Sequence, residues 1–208
     1  MSVPDFELLY CDASLLVVNK PAGLLAVPGR GEDKQDCLSS RIQEKFPGAL
    51  VVHRLDMATS GLMLFARDAE MQRIFSRMFR EREIEKRYVA IVSGMIYPPI
   101  GEINLSIAAD WPNRPLRKID PELGKSSLTR YRVLAHDTYT DSSRVQLEPV
   151  TGRTHQLRVH MAAIGHPILG DILYAGRAAK RLLLHASMLS FAHPLSTEKL
   201  CLQSDPPF

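Results

Sequence analysis

The segment His53-Arg54-Leu55-Asp56-Met57-Ala58-Thr59-Ser60-Gly61 sets one carboxylate beside a histidine and an arginine, in a loop closed by Thr, Ser and Gly. A carboxylate in such company suits nucleophilic or acid–base chemistry. It suits a local purpose equally well, because Asp in a D-x-x-T-S-G loop can hydrogen-bond its own backbone as an Asx-turn or cap. The segment Thr151-Gly152-Arg153-Thr154-His155-Gln156-Leu157-Arg158-Val159-His160 crowds Arg153, His155, Arg158 and His160 at one helix entrance, where backbone N–H groups already favour anions. Metal binding fits this segment poorly. Its histidines are not at the i, i+4 spacing that puts two ligands on one helix face, and no Cys or acidic partner lies near. Residues 83–87, leading into Tyr88, form a mixed-charge run that reads as a solvated strand edge. Asp56, His155 and Ser60 are the residue types of a nucleophilic triad, but no G-x-S-x-G elbow presents the serine.

Composition sets the frame for these groups. The 208 residues are 45% hydrophobic and 24% charged, enough to bury a sizeable core as an ordinary globular protein. No window approaches the roughly 18 continuous apolar residues of a membrane span, and Asp5 and Glu7 stand where a secretory leader would be basic. Three scattered cysteines without a C-x-x-C pair predict a reducing, cytoplasmic setting. The net charge is only +3, yet the chain carries 18 Arg and 8 Lys. Arg offers a planar fork for phosphate and stacks on bases, so nucleic acid is a reasonable partner. A general compositional preference for Arg would give the same skew.

The elements that must position these side chains can be read from periodicity. Residues 6–10 and 15–19 read as strands joined by Cys11-Asp12-Ala13-Ser14, and Lys20-Pro21-Ala22-Gly23 breaks the second. Asp36 is placed to cap a helix that runs to about Phe46 and stops at Pro47-Gly48. Residues 61–67 read as a buried strand. Met71, Ile74, Phe75, Met78 and Phe79 then fall on one helical stripe. Strands follow at 88–92, around Tyr131 and Val133, and around Val145 and Leu147. A short helix opens at Thr151-Gly152-Arg153, and strands return at 182–190 and 200–203. Strands outnumber helices without regular helical crossovers, so the pattern predicts an α+β fold with a mixed, mainly antiparallel sheet flanked by helices and loops.

With these pieces in place the chain resembles the RluA-type RNA pseudouridine synthases. The segment His53–Gly61 matches their H-R-L-D-x-x-T-S-G signature. Asn19-Lys20-Pro21-Ala22-Gly23, Lys86-Arg87-Tyr88-Val89-Ala90, the Thr151–His160 segment, Gly165-His166-Pro167-Ile168-Leu169-Gly170-Asp171 and Leu184-His185-Ala186 follow in the family's order. Val27-Pro28-Gly29-Arg30, Met57-Ala58 and Asp110-Trp111-Pro112-Asn113-Arg114-Pro115 look most like the small member that acts on both ribosomal and transfer RNA. The resemblance implies a single catalytic domain over residues 1–208, without the S4 RNA-binding module of larger members.

The implied reaction breaks the uridine N1–C1′ bond, turns the base and rejoins it through C5. It needs neither cofactor nor metal, and its partner is RNA, in stem-loops of ribosomal and transfer RNA, not DNA or a membrane. The resemblance makes Asp56 the catalytic carboxylate, attacking C1′ or removing a sugar proton, with Arg153 the partner that holds its charge. Tyr88 would pack on the target uracil, and Arg54 would fill the space the flipped uridine leaves and touch phosphate. A cytoplasmic monomer is expected. Two rivals make different predictions. A non-catalytic RNA-binding protein has no need of Asp56 in this setting, and a hydrolase pairing Asp56 with a histidine would cleave RNA, whereas isomerisation leaves its mass unchanged.

Overall fold

The computed structural model describes residues 5–208, with the side chain of Asp33 outside that description. In chain order the elements are β1 (Glu7–Cys11), β2 (Leu15–Lys20), α1 (Leu38–Lys45), β3 (Leu50–Val51), β4 (Ser60–Ala66), α2 (Ala69–Glu81), β5 (Glu85–Ser93) and β6 (Ile100–Asn104). There follow β7 (Ile107–Ala109), β8 (Arg117–Ile119), β9 (Leu128–Asp137), β10 (Ser142–Pro149), α3 (Gln156–Ala163), β11 (Leu184–Ala192) and β12 (Lys199–Gln203). The chain divides into two compact units, one running to Lys86 and resuming over His185–Pro207, the other Arg87–Leu184 with Phe208. No helix among the described residues is long and apolar enough to cross a membrane.

The first unit is built on β2 and β4, whose apolar runs are buried on both faces. They pair antiparallel, Val17 opposite Leu64 and Asn19 opposite Leu62, with β1 on the far side of β2. Beside β4 lies β11 in parallel register, carrying β12 antiparallel on its other side. Alternation along a strand sends neighbouring side chains to opposite faces. Leu15, Val17, Leu62 and Leu64 therefore meet Met71, Phe75 and Met78 of α2, while Leu16, Val18, Met63 and Phe65 meet Leu38 and Ile42 of α1. Each such side chain fully buried contributes about 1.5–3 kcal/mol.

The helical stripe read from sequence is α2. Its entry is fixed by Asp68, whose carboxylate accepts the Met71 N–H at 2.8 Å, and its exit by Arg82 in a left-handed conformation. The start of α1 differs from expectation. Cys37 is the N-cap residue, without a side-chain cap, and Asp36 instead holds the Arg41 guanidinium with two 2.7 Å bonds. A full guanidinium pair satisfies both carboxylate oxygens, which a capping bond to one N–H does not.

In the second unit β10 is flanked antiparallel by β5, with Leu147 opposite Tyr88, and by β9, which carries β6 on its outer side. A separate hairpin, β7–β8, pairs Ala109 with Arg117. The three helices among the described residues and this mixed, mainly antiparallel pairing give the α+β class expected from sequence.

Candidate active site

Within the first unit, two other sequence motifs lock the segment that carries Asp56. Lys20, at the end of β2, is fully buried. Its ammonium donates to the carbonyls of Pro21 at 2.8 Å, Leu24 at 2.7 Å and Met57 at 3.2 Å. The Met57 carbonyl also accepts the Gly23 N–H at 2.8 Å, so Asn19-Lys20-Pro21-Ala22-Gly23 clasps the residue directly after Asp56. The loop closes with a Thr59 N–H to Asp56 carbonyl bond of 3.1 Å.

The Ser60 hydroxyl then meets His185 Nδ1 at 2.8 Å, and His185 Nε2 meets the Ser204 hydroxyl at 3.1 Å. Gly61 has φ +113°, and a Cβ there would stand 2.3 Å from the Ala186 carbonyl oxygen. Only glycine allows β4 and β11 to approach so closely. Asp56 itself is half-buried, and Arg54, two residues earlier, is exposed.

Replacing Lys20 by Met should test this clasp. Three carbonyls lose a donor, which should cost roughly 3 kcal/mol of stability, and the loosened loop should lower kcat roughly ten- to a hundredfold. Urea denaturation and single-turnover rates would check it; unchanged values for both would remove Lys20 from the loop's support.

His53, at the head of the same segment, is an anchor. Its Nε2 accepts the Leu64 N–H at 2.9 Å, and its ring lies 4.4 Å from that of Phe79. Burial first, and the nearby Lys86 charge second, push its pKa down to about 3. Burial also lowers Lys86, helped by the charge of Arg82. A ring so occupied and so weakly basic is a poor partner for Asp56 in acid–base hydrolysis.

A pH dependence of stability follows. An unfolded chain protonates this histidine near 6.5, the folded one near 3. Between those values the unfolded state alone binds the proton, so stability is lost as pH falls through that window, by at most about 1.4 kcal/mol per pH unit. His53→Gln should flatten the slope between roughly pH 4 and 6; an identical slope in the variant would clear His53 of it.

In the second unit Tyr88 is half-buried on β5, and residues 85–87 before it are half-buried too, so this stretch is not the solvated edge its charges suggested. Arg153 follows the end of β10. Gln156, 3% exposed, accepts from the Arg153 N–H at 3.0 Å and the Thr151 hydroxyl at 2.8 Å, and donates to the Leu128 carbonyl at 2.9 Å. The exposed Arg153 guanidinium reaches the Ser126 carbonyl at 3.4 Å and borders a cavity of about 700 Å³.

The other basic groups of this segment are structural. Arg158 forms a bidentate pair with Asp171 at 2.7 Å for both bonds, and its guanidinium lies 5.2 Å from the Tyr174 ring centroid. His160 is buried between the Thr129 hydroxyl, 2.9 Å, and the Leu105 carbonyl, 3.0 Å, and burial lowers its pKa. His155 takes the left-handed N-cap position of α3, 2.8 Å from the Tyr174 hydroxyl. The crowded anion entrance expected from sequence thus reduces to Arg153. Among the described residues no cluster of three or more His, Cys, Asp or Glu is placed to hold a metal ion.

This mixed α+β fold, with the aspartate loop clasped by neighbouring motifs, belongs to the RNA pseudouridylate synthase family, which the chain matches over residues 14–163. It is an RluA-type RNA pseudouridine synthase, an isomerase converting uridine in RNA to pseudouridine. The chain is 50% identical over 195 residues to the dual-specificity RNA pseudouridine synthase RluA of Escherichia coli, covering 92% of this chain and 89% of that one. With RluA of Pasteurella multocida it shares 47% over 209 residues, 99% of this chain and 95% of the other. Among solved structures, the human RNA pseudouridylate synthase domain containing 1 superposes with a TM-score of 0.82 at 32% identity, covering all of this chain and 86% of that one.

Proposed function

We propose that this enzyme isomerises uridine in both ribosomal and transfer RNA stem-loops, acting as a cytoplasmic monomer, with Asp56 as its catalytic carboxylate. The observation that carries this reading is the 50% identity, over 92% of the chain, to a relative named for dual specificity. Asp56 attacks C1′ or removes a sugar proton, and both routes need it ionised. Arg54 enters the gap left by the extruded uridine, and its exposure suits that task. Tyr88 stacks on the target base, offering an aromatic face and a hydroxyl. Arg153 supplies positive charge to the substrate site. DNA and membranes are not partners in this scheme.

Incubating transfer and ribosomal RNA with the protein, labelling pseudouridine chemically and mapping it tests the proposal. Modification at defined loop uridines in both RNAs, with RNA length and mass unchanged, is the expected result. Modification of one RNA class alone would end the dual-substrate claim, and strand cleavage or uracil release would overturn the reaction itself.

A further inference from the structure

The cavity beside Arg153 lies wholly within the second unit, and the uridine chemistry makes no use of the rest of its lining. Part of that lining is the loop between β7 and β8, which carries Trp111. Trp111 is the only tryptophan in the chain, and it stands 68% exposed. Tryptophan is highly buried on average, so this ring stands well outside the usual range. One face is covered by Arg114, whose guanidinium carbon is 3.5 Å from the ring centroid, so the exposure belongs to the rest of the ring.

The loop is held in shape from within. The Asp110 N–H donates to the Leu116 carbonyl at 3.1 Å, the Leu116 N–H to the Asn113 carbonyl at 3.0 Å, and the Asn113 amide to the Asp110 carboxylate at 3.0 Å. The Arg117 N–H just beyond donates to the Tyr174 hydroxyl at 2.9 Å, tying the hairpin to the residue that also meets His155.

The charge of the cavity favours an anion. Its walls carry Arg117, Lys118, Lys125 and Arg153 against Asp110 and Asp120. Lys118 and Asp120 neutralise each other at 3.1 Å. No acidic partner holds Arg117, Lys125 or Arg153 among the described residues, and Arg117 Nε is buried without any hydrogen-bond partner. An aromatic ring on the wall of a cationic cavity is the arrangement by which proteins take up single-stranded nucleic acid, base on ring and phosphate on cation.

We propose that Trp111, backed by Arg114, is a stacking platform for an unpaired nucleotide of the substrate RNA other than the target uridine, with Arg117 and Lys125 receiving the adjacent phosphates. The proposal rests on the chain acting on RNA. It makes Trp111 a specificity residue: an RNA must present an unpaired base at the right distance from its target to gain this contact. Base–aromatic stacking tolerates any base, so the platform selects the shape of the loop more than its sequence.

Because the chain has a single tryptophan, its intrinsic fluorescence reads the platform in the unmodified protein. Titration with a short unpaired oligoribonucleotide should quench that emission, saturating at the Kd found independently by anisotropy, while a blunt RNA duplex of the same composition should quench far less. Trp111→Ala should raise KM for a stem-loop by about tenfold with a smaller change in kcat, and Trp111→Phe should recover most of the loss. Lys125→Gln should lower the slope of log K against log salt by about one.

Binding seen by anisotropy with unmoved tryptophan emission would overturn the platform, as would equal quenching by the duplex. Failure of the wild-type protein to form pseudouridine in any RNA would strike the functional reading instead, so the two failures are separable.

Discussion

Asp56→Asn should yield a folded protein that still binds RNA and forms no measurable pseudouridine, a fall in kcat of at least about a thousandfold. The amide keeps the shape of the carboxylate and loses its charge, so it can neither attack C1′ nor accept a sugar proton at a useful rate. Folding should survive because the loop's anchors attach elsewhere: Lys20 and Gly23 hold the Met57 carbonyl, and His185 meets the Ser60 hydroxyl. The unfolding midpoint should therefore stay within a few degrees of the parent. Asp56→Glu is the companion variant. It retains the charge but carries it about one methylene further on a fixed loop, and misplacement of that size is itself expensive for a positioned catalyst. Normal turnover by a folded Asp56→Asn protein would remove Asp56 from the chemistry, whatever the family resemblance implies.

Much of the scaffold around Asp56 is legible in the sequence because its signals are strong and local. The stripe from Met71 to Phe79 is α2, and the apolar runs at 15–18 and 62–66 are strands buried on both faces. The turn expected at Cys11–Ser14 is there, built on Asp12, whose carboxylate accepts from the Ser14 and Leu15 N–H groups at 2.7 and 2.9 Å. What escaped the sequence depends on contacts between distant segments. Nothing local tells that Lys20 will be buried, since Lys is almost never fully buried unless its ammonium is satisfied. The carbonyl that matters, that of Met57, lies 37 residues away.

The same limit misled the reading of the Thr151–His160 segment, where type and spacing alone could not separate an anion site from buried anchors. Arg158 and His160 find partners at Asp171 and Thr129, which only the fold brings near. The strands β6, β7 and β8 were missed because they are short, three to five residues, and lie in a stretch interrupted by turn-forming proline. That stretch also holds Trp111, so the least regular part of the sequence carries a candidate contact for RNA.

The second large effect is expected at Asp171, far in sequence from any group that does chemistry. Its carboxylate and the Arg158 guanidinium are 0% and 5% exposed and meet through two 2.7 Å bonds. The same carboxylate accepts the Leu173 N–H at 3.0 Å and the Tyr174 N–H at 3.3 Å, which seats Tyr174. Tyr174 in turn meets His155 at the head of α3 and the Arg117 N–H on β8. Asp171→Ala thus takes from a buried guanidinium the carboxylate that holds it through two 2.7 Å bonds, and undoes the seat of Tyr174.

Breaking such a pair costs about 3–5 kcal/mol, a large part of the 5–15 kcal/mol by which proteins of this kind are stable. Urea unfolding should show a midpoint lowered by that loss divided by the slope m, with m itself unchanged. Asp171→Asn should fall between, since the amide retains the bonds from Leu173 and Tyr174 but not the charge. The decisive comparison is the double variant Arg158→Met, Asp171→Leu. With both charges gone the desolvation penalty disappears, and stability should return most of the way to the parent. RNA affinity should then stay impaired, because Tyr174 has still lost the carboxylate that seats it between His155 and Arg117. A double variant as unstable as Asp171→Ala would mean that the pair's value lies in its packing volume; one that also regains full RNA affinity would mean that Tyr174 does not position the cationic cavity.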